Sequence, residues 1–227
     1  MTQHILLTGA SRGIGAAIAE TLKPGNRLFA ASSRDADLSA EGAADALWDN
    51  ALDALGGRID VLINNAGVFE EAPLDGDGWL DNWRRTMTIN LEASAILCRR
   101  AVLHWREKAT PGRIINIASR AAYRGDSPAH WHYAASKGGM VAMTKTIARA
   151  YALDNILAFA ICPGFTITGM AQDYLSSRGG DQLLADIPLG RVATPEEIAA
   201  ITAFLAKGAP PSMTGAILDA NGASYVR

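Results

Sequence analysis

The feature that most constrains this chain is the run Leu6-Leu7-Thr8-Gly9-Ala10-Ser11-Arg12-Gly13-Ile14-Gly15, where a short apolar segment meets three closely spaced glycines and then a stretch with helical spacing. A strand-to-helix turn stripped of side chains lets a ligand approach the backbone. The helix that follows presents the positive end of its dipole, so a diphosphate is a natural occupant. The spacing is G-x3-G-x-G and not the G-x-G-x-x-G of the general dinucleotide fingerprint, and a tight turn with no ligand would use the same glycines. The turn therefore predicts an α/β fold and a candidate phosphate site together, and the rest of the chain must separate the two readings.

Short apolar runs recur at Ile5–Leu7, Leu28–Ala31, Ile59–Ile63, Arg113–Ala118, Leu157–Cys162 and Ala216–Asp219. Between them lie helical patterns, including Ile14–Leu22, Trp83–Arg106, Tyr133–Leu153 and Pro195–Ala206. Parallel strands need crossovers of a dozen or more residues, and this rhythm supplies them. The expected architecture is a Rossmann-type doubly wound parallel sheet in three αβα layers. Lys23-Pro24-Gly25 ends the first helix, because proline disfavours helical dihedrals in its predecessor and glycine accepts a left-handed turn. No repeat, charge block or Ser/Gly linker divides the 227 residues, which are expected to form one domain, 1–227.

With 21 Lys and Arg against 23 Asp and Glu, the formal net charge is −2, and nothing basic points to nucleic acid or an anionic membrane. The two cysteines, Cys98 and Cys162, sit among apolar residues without metal-binding spacing, so buried reduced thiols are expected and no metal. Met1–Ala10 lacks a basic stretch followed by a long apolar run, and no segment approaches the ~20 residues that span a bilayer. A cytoplasmic location is the default expectation.

Further motifs follow the glycine turn in order: Asn64-Asn65-Ala66-Gly67, Asn90 within Thr88-Ile89-Asn90-Leu91, Tyr133-x3-Lys137, Pro163-Gly164-Phe165-Thr166-Ile167-Thr168, Gly190-Arg191 and Pro195-Glu196-Glu197-Ile198. Together with TGASRGIG they resemble, essentially end to end, the short-chain dehydrogenase/reductase family, in particular its 3-oxoacyl-[acyl-carrier-protein] reductase-like members. The resemblance implies an oxidoreductase that moves a hydride between a nicotinamide cofactor and a carbonyl or alcohol.

The chemistry of such a transfer can be read independently from the residues. Hydride delivery to a carbonyl leaves an oxyanion that needs a proton. A free tyrosine, with pKa about 10, is too weak an acid for this near neutral pH. Tyr133 and Lys137 are spaced i,i+4, which places them on one helix face, and an ammonium nearby would lower the phenol's pKa. Tyr133 is thus the expected proton donor, or the base in the oxidative direction. Ser119 follows a strand and should emerge at its carboxyl end, where ligands bind in such sheets, to hold the substrate oxygen. Ser127 is its rival, and Ser119 is preferred; its interval to Tyr133 is 14 residues where 13 is usual in many family members. By resemblance, Asn90 holds its helix open for a water that passes protons toward Lys137. Catalytic roles are therefore expected for Asn90, Ser119, Tyr133 and Lys137.

By the same resemblance the cofactor is expected to meet Gly9, Ser11, Arg12, Gly13, Ile14 and Gly15 of the turn, Ser33 and Arg34, Asp37 and Leu38, and Asn65, Ala66 and Gly67. Tyr133, Lys137, Pro163, Gly164, Thr166 and Thr168 complete the expected set. NAD preference requires an acid at the end of the second strand to accept the ribose hydroxyls. That end reads Ala31-Ser32-Ser33-Arg34, and Arg34 with Arg12 would bind a 2′-phosphate, so NADP is favoured over NAD. Asp35 is the rival group, since a one-residue shift would bring it to the ribose. The stretch between Arg34 and Asp60 is shorter than in most family members. Its usual intervening helix is expected to be missing and the third strand vestigial or absent, leaving about six strands and a more open wall for the adenine. Phe159, where the family often has an asparagine, is given a packing role.

The loop from Arg120 to His132 is expected to rim the substrate pocket, with Tyr174 and Leu175 in a lid hinged at Gly179-Gly180. A small-molecule carbonyl or alcohol substrate is expected, and the resemblance implies a homo-oligomer, tetramer or dimer, assembled through the helices Trp83–Arg106 and Tyr133–Leu153 and the C-terminal segment. A non-catalytic dinucleotide-binding regulator of the same fold is the alternative, and retention of Tyr, Lys, Ser and Asn together weighs against it. A sugar-modifying epimerase or dehydratase is a third reading, for which the C-terminal portion leaves little room.

Overall fold

The computed structural model describes residues 2–167 and 184–227. Six parallel strands form one sheet: β1 (His4–Leu7), β2 (Arg27–Ala30), β3 (Val61–Asn64), β4 (Gly112–Ile117), β5 (Ile156–Pro163) and β6 (Ile217–Ala220). Their order across the sheet is β2-β1-β3-β4-β5-β6, so β2 forms one edge and the chain reverses direction of travel beside β1. In open α/β sheets ligands bind at that switch, outside the carboxyl ends of the strands.

Helices cover both faces. On one lie α1 (Gly13–Leu22) and α7 (Pro195–Ala203), packed on each other and on Ile5, Leu7, Ile63, Ile115, Phe159 and Ile161. On the other lie α2 (Ala43–Ala54), α4 (Ala93–Lys108) and α6 (Trp131–Tyr151), packed on Leu6, Leu62, Ile114 and Ala158. Side chains alternate across a strand, which is why neighbours such as Leu6 and Leu7 serve opposite layers. Phe159 is fully buried in the first of these cores, as its assigned packing role requires. Both cysteines are buried and free. No helix among the described residues is long and apolar enough to cross a membrane.

The shortened segment after β2 contains no strand among the described residues, and no helix separates β2 from Asp37-Leu38, both in line with the sequence reading. Residues Ala43–Ala54 form α2, which buries Leu47, Trp48 and Ala51. The expected single helix from Trp83 is corrected: α3 (Trp79–Met87) starts earlier, and a π-helical turn, Thr88–Glu92, separates it from α4. Such turns widen the helix by one residue and free backbone groups, often at functional sites. Thr168, Tyr174, Leu175, Gly179 and Gly180 lie outside the described residues.

Candidate active site

The glycine turn is built from two distant pieces of chain. Gly9 and Gly13 hold positive φ of 70° and 54°, where a side chain would be strained. A Cβ on Gly15 would lie 2.0 Å from Gly9 O, and one on Gly9 would lie 2.7 Å from Ala66 Cα. The turn is strapped from below by the Asn64-Asn65-Ala66-Gly67 segment: Thr8 Oγ1 accepts from Asn65 N (3.1 Å) and Ala66 N (3.0 Å), and Asn65 Nδ2 donates to Thr8 O (3.1 Å) and Gly9 O (2.9 Å). The Asn65 side chain therefore shapes the turn and does not reach out from it.

Beside the turn, a pocket of about 440 Å³ is lined by Ala10, Ser11, Ala30, Ser32, Ser33 and Arg34. Its donors are hydroxyls and a guanidinium, a set suited to an anionic oxygen-rich group. Asp35, the rival, is folded back: its carboxylate accepts from Ser32 N and Ser32 Oγ, both at 2.8 Å, and those bonds hold its pKa below the usual value. Asp37 likewise accepts from Ser39 N (3.0 Å) and Ser39 Oγ (2.6 Å), and Leu38 packs against the core under α2 and α4, so neither lines the pocket. Arg12 is exposed at the N-cap of α1. A dinucleotide phosphate and its ribose substituent fit these residues.

The reacting end lies at the carboxyl ends of β4 and β5. Ser119 is buried one residue beyond Ala118, whose N–H still bonds Ile161 O. Its hydroxyl accepts from Ala121 N (3.1 Å) and acts on the Tyr133 phenol to lower its pKa. Ser127, by contrast, is occupied with His130 Nδ1 at 2.7 Å. Lys137, one turn after Tyr133 on α6, is buried, donates from Nζ to Ile117 O (2.8 Å), and lies 5.8 Å from the Tyr133 ring centroid.

The electrostatics differ from the sequence expectation. Burial pushes Tyr133 up to about 12, against the opposing pull of Ser119, and burial pushes Lys137 down to about 8. Each charge taken singly is disfavoured by desolvation, the largest cause of both shifts.

Asn90 sits in the π-helical turn, fully buried. Its Oδ1 accepts from Val68 N (2.8 Å), and its Nδ2 donates to Val68 O (3.0 Å) and Ser136 Oγ (3.3 Å). Ser136 Oγ in turn donates to Tyr133 O (2.7 Å), a link the sequence reading missed because it needs this turn to bring α6 and the widened helix together. A Cβ on Gly67 would lie 3.3 Å from Asn90 Oδ1 and 3.6 Å from Lys137 Nζ, so the glycine keeps a gap open between those groups. Pro163 ends β5, Gly164 packs tightly on Asn221, and Thr166 is buried where its segment pairs with Ala193.

Comparison with known proteins agrees with this fold. The enoyl-(acyl carrier protein) reductase family model of the short-chain type matches residues 25–222. The chain is 33% identical over 242 residues to an acetoacetyl-CoA reductase of Shinella zoogloeoides, covering 99% of each chain. It is 34% identical over 242 residues to a 3-oxoacyl-[acyl-carrier-protein] reductase of Vibrio cholerae, covering 97% of this chain and 96% of the relative. Among solved structures, a gluconate 5-dehydrogenase homologue from Beutenbergia cavernae with bound NADP superposes with a TM-score of 0.88 at 30% identity, over 97% of this chain and 95% of that one. A 2-deoxy-D-gluconate 3-dehydrogenase homologue from Agrobacterium tumefaciens with bound NADP gives the same score at 29% identity, over 99% and 97%.

Proposed function

Because the chain belongs to the short-chain dehydrogenase/reductase family, we propose that it moves a hydride between NADP(H) and a carbonyl or alcohol group of a small substrate. The observation that carries this reading is the convergence of Ser119, Tyr133, Lys137 and Asn90 at the strand ends, one step from a pocket lined by hydroxyls and Arg34. When bound, the nicotinamide supplies or accepts the hydride.

The chain's own residues hold the substrate and manage the proton. Ser119 Oγ, fixed by Ala121 N, receives the substrate oxygen beside the Tyr133 hydroxyl. Tyr133 donates its proton to the oxyanion that reduction produces, and by reversibility withdraws it in oxidation. Loss of that proton creates a phenolate next to the Lys137 ammonium, and two opposite charges that desolvation disfavours singly stabilise each other as a pair. Lys137 Nζ, held on Ile117 O, resupplies the proton through the gap that Gly67 leaves beside Asn90.

Selection of NADP(H) falls to Ser11, Ser33 and Arg34 in the pocket, with Arg12 on the same turn, because the Asp35 carboxylate is turned onto Ser32 and does not line the pocket. Assembly into a dimer or tetramer is assigned to the faces of α4 and α6, where Leu103 stands exposed. The test is Tyr133→Phe, which should lower kcat by roughly 10²–10⁴ while NADPH, titrated by fluorescence, binds as before. Unchanged turnover in that variant would remove the mechanism.

A further inference from the structure

The wall beside Tyr133 is made of rings that the proton chemistry leaves unused. Phe69 follows the Asn64-Asn65-Ala66-Gly67 segment, and its ring lies 4.7 Å from the Tyr133 ring, centre to centre, at 79°. One face of Phe69 is covered by His130, stacked at 3.9 Å and 6°. His130 behind it is 5% exposed, whereas Phe69 itself is 42% exposed.

The position of Phe69 is fixed from both sides. Val68 is bonded through its N–H and its carbonyl to Asn90, and Glu70 O is bonded to His132 Nε2 at 2.9 Å. His130 is anchored by Ser127 Oγ at Nδ1, while its Nε2 is buried without a partner among the described residues. The imidazole therefore offers Phe69 a stacked face held in place by the Ser127 bond. Burial lowers its pKa and keeps the ring neutral, and the Asp126 carboxylate, 4.0 Å from its Nδ1, puts negative charge on the His130 side of the rim. An exposed aromatic surface held rigid beside a proton donor favours ligands that are apolar and flat.

We propose that Phe69, backed by His130, is the substrate-contacting wall of this site and selects carbonyl compounds bearing an aryl or alicyclic group over short aliphatic ones and over those bearing a carboxylate. The proposal rests on the carbonyl reductase reading above. Ser119 and Tyr133 themselves grip only the carbonyl oxygen, so discrimination beyond it must come from the groups around them.

The experiment measures kcat and KM with NADPH for an aryl ketone, cyclohexanone, a short aliphatic ketone and a 2-oxo acid, in the wild type, Phe69→Ala, Phe69→Tyr and His130→Gln. The wild type should prefer the first two ketones. In Phe69→Ala the ratio of kcat/KM for aryl over aliphatic ketone should fall roughly 10-fold, mainly through KM, with a smaller fall in His130→Gln and recovery in Phe69→Tyr. NADPH affinity, measured separately, verifies that each variant is folded. An unchanged ratio in Phe69→Ala, or a wild type that prefers the aliphatic ketone or the 2-oxo acid, overturns the proposal while leaving the reductase reading intact. A wild type that binds NADPH and reduces none of the four overturns both.

Discussion

The two ends of the site are built to different standards of enclosure. Around Tyr133 the groups are buried and multiply tied: Lys137 to Ile117, Asn90 to Val68 and Ser136, Ser136 back to Tyr133. Around Arg34 the residues are exposed, stand at the end of a four-residue edge strand, and are organised by local turns such as Asp35 on Ser32. At the end proposed for the chemistry, the sheet, the widened helix and α6 converge. At the end proposed to recognise the coenzyme, one strand end and a short loop suffice. The contrast implies that changes at the first end stop turnover with every substrate and either coenzyme, while changes at the second alter coenzyme preference alone.

The sharpest test of that contrast is Lys137→Met, expected to lower kcat by roughly 10²–10⁴ with NADPH and NADH alike; a loss confined to one coenzyme would erase the distinction between the ends. The same variant carries a pH signature. The folded pKa of Lys137, about 8, lies below its ordinary value of 10.5, so the unfolded chain binds more protons between them. Wild-type stability should therefore gain between pH 8 and 10 relative to Lys137→Met, and chemical denaturation across that window reads it.

Next in size, Arg34→Ala should weaken NADPH relative to NADH by about 10- to 100-fold, the loss of a charge-assisted hydrogen bond to phosphate, with kcat at saturation little changed. Equal weakening of both coenzymes would mean that Arg34 supports the pocket without reading the 2′ position.

The smallest effect lies outside both ends. Glu197 closes a capping box with Thr194 at the start of α7 and is gripped by Arg191, which pulls its pKa down to about 2. That stability is complete above the ordinary carboxylate pKa and fades as pH falls toward 2. The pair is largely solvent-exposed, so Glu197→Gln should cost under about 1 kcal/mol at pH 7, measured by denaturant unfolding, with activity retained.

Much of this contrast was legible from sequence, for identifiable reasons. The strands announced themselves as short apolar runs, and the glycine turn and the Tyr133–Lys137 spacing carry their chemistry in residue type and interval. Other parts depend on contacts that no local pattern encodes. Helix α2 escaped notice because its buried stripe, Ala44, Leu47, Trp48 and Ala51, is half alanine and so carries a weak apolar signal. The π-helical turn is composed of ordinary helix-compatible residues, Thr88–Glu92, and exists because Asn90 is pinned to Val68 from another element. The fate of Asp35 turned on which way a short loop closes. The raised pKa of Tyr133 turned on burial, the largest cause of its shift.

The strap beneath the glycine turn has a consequence for how nucleotide and fold are linked. Since Asn65 and Ala66 grip Thr8 and Gly9 from the end of β3, the phosphate cradle comes into being only once β1 and β3 lie side by side at the middle of the sheet. A coenzyme that settles there would bind the folded chain and not the open one, and so would raise the stability of the whole sheet with the logarithm of its concentration above the dissociation constant. Saturating nucleotide thereby becomes a probe of global integrity, and its loss would signal that the central strands have parted.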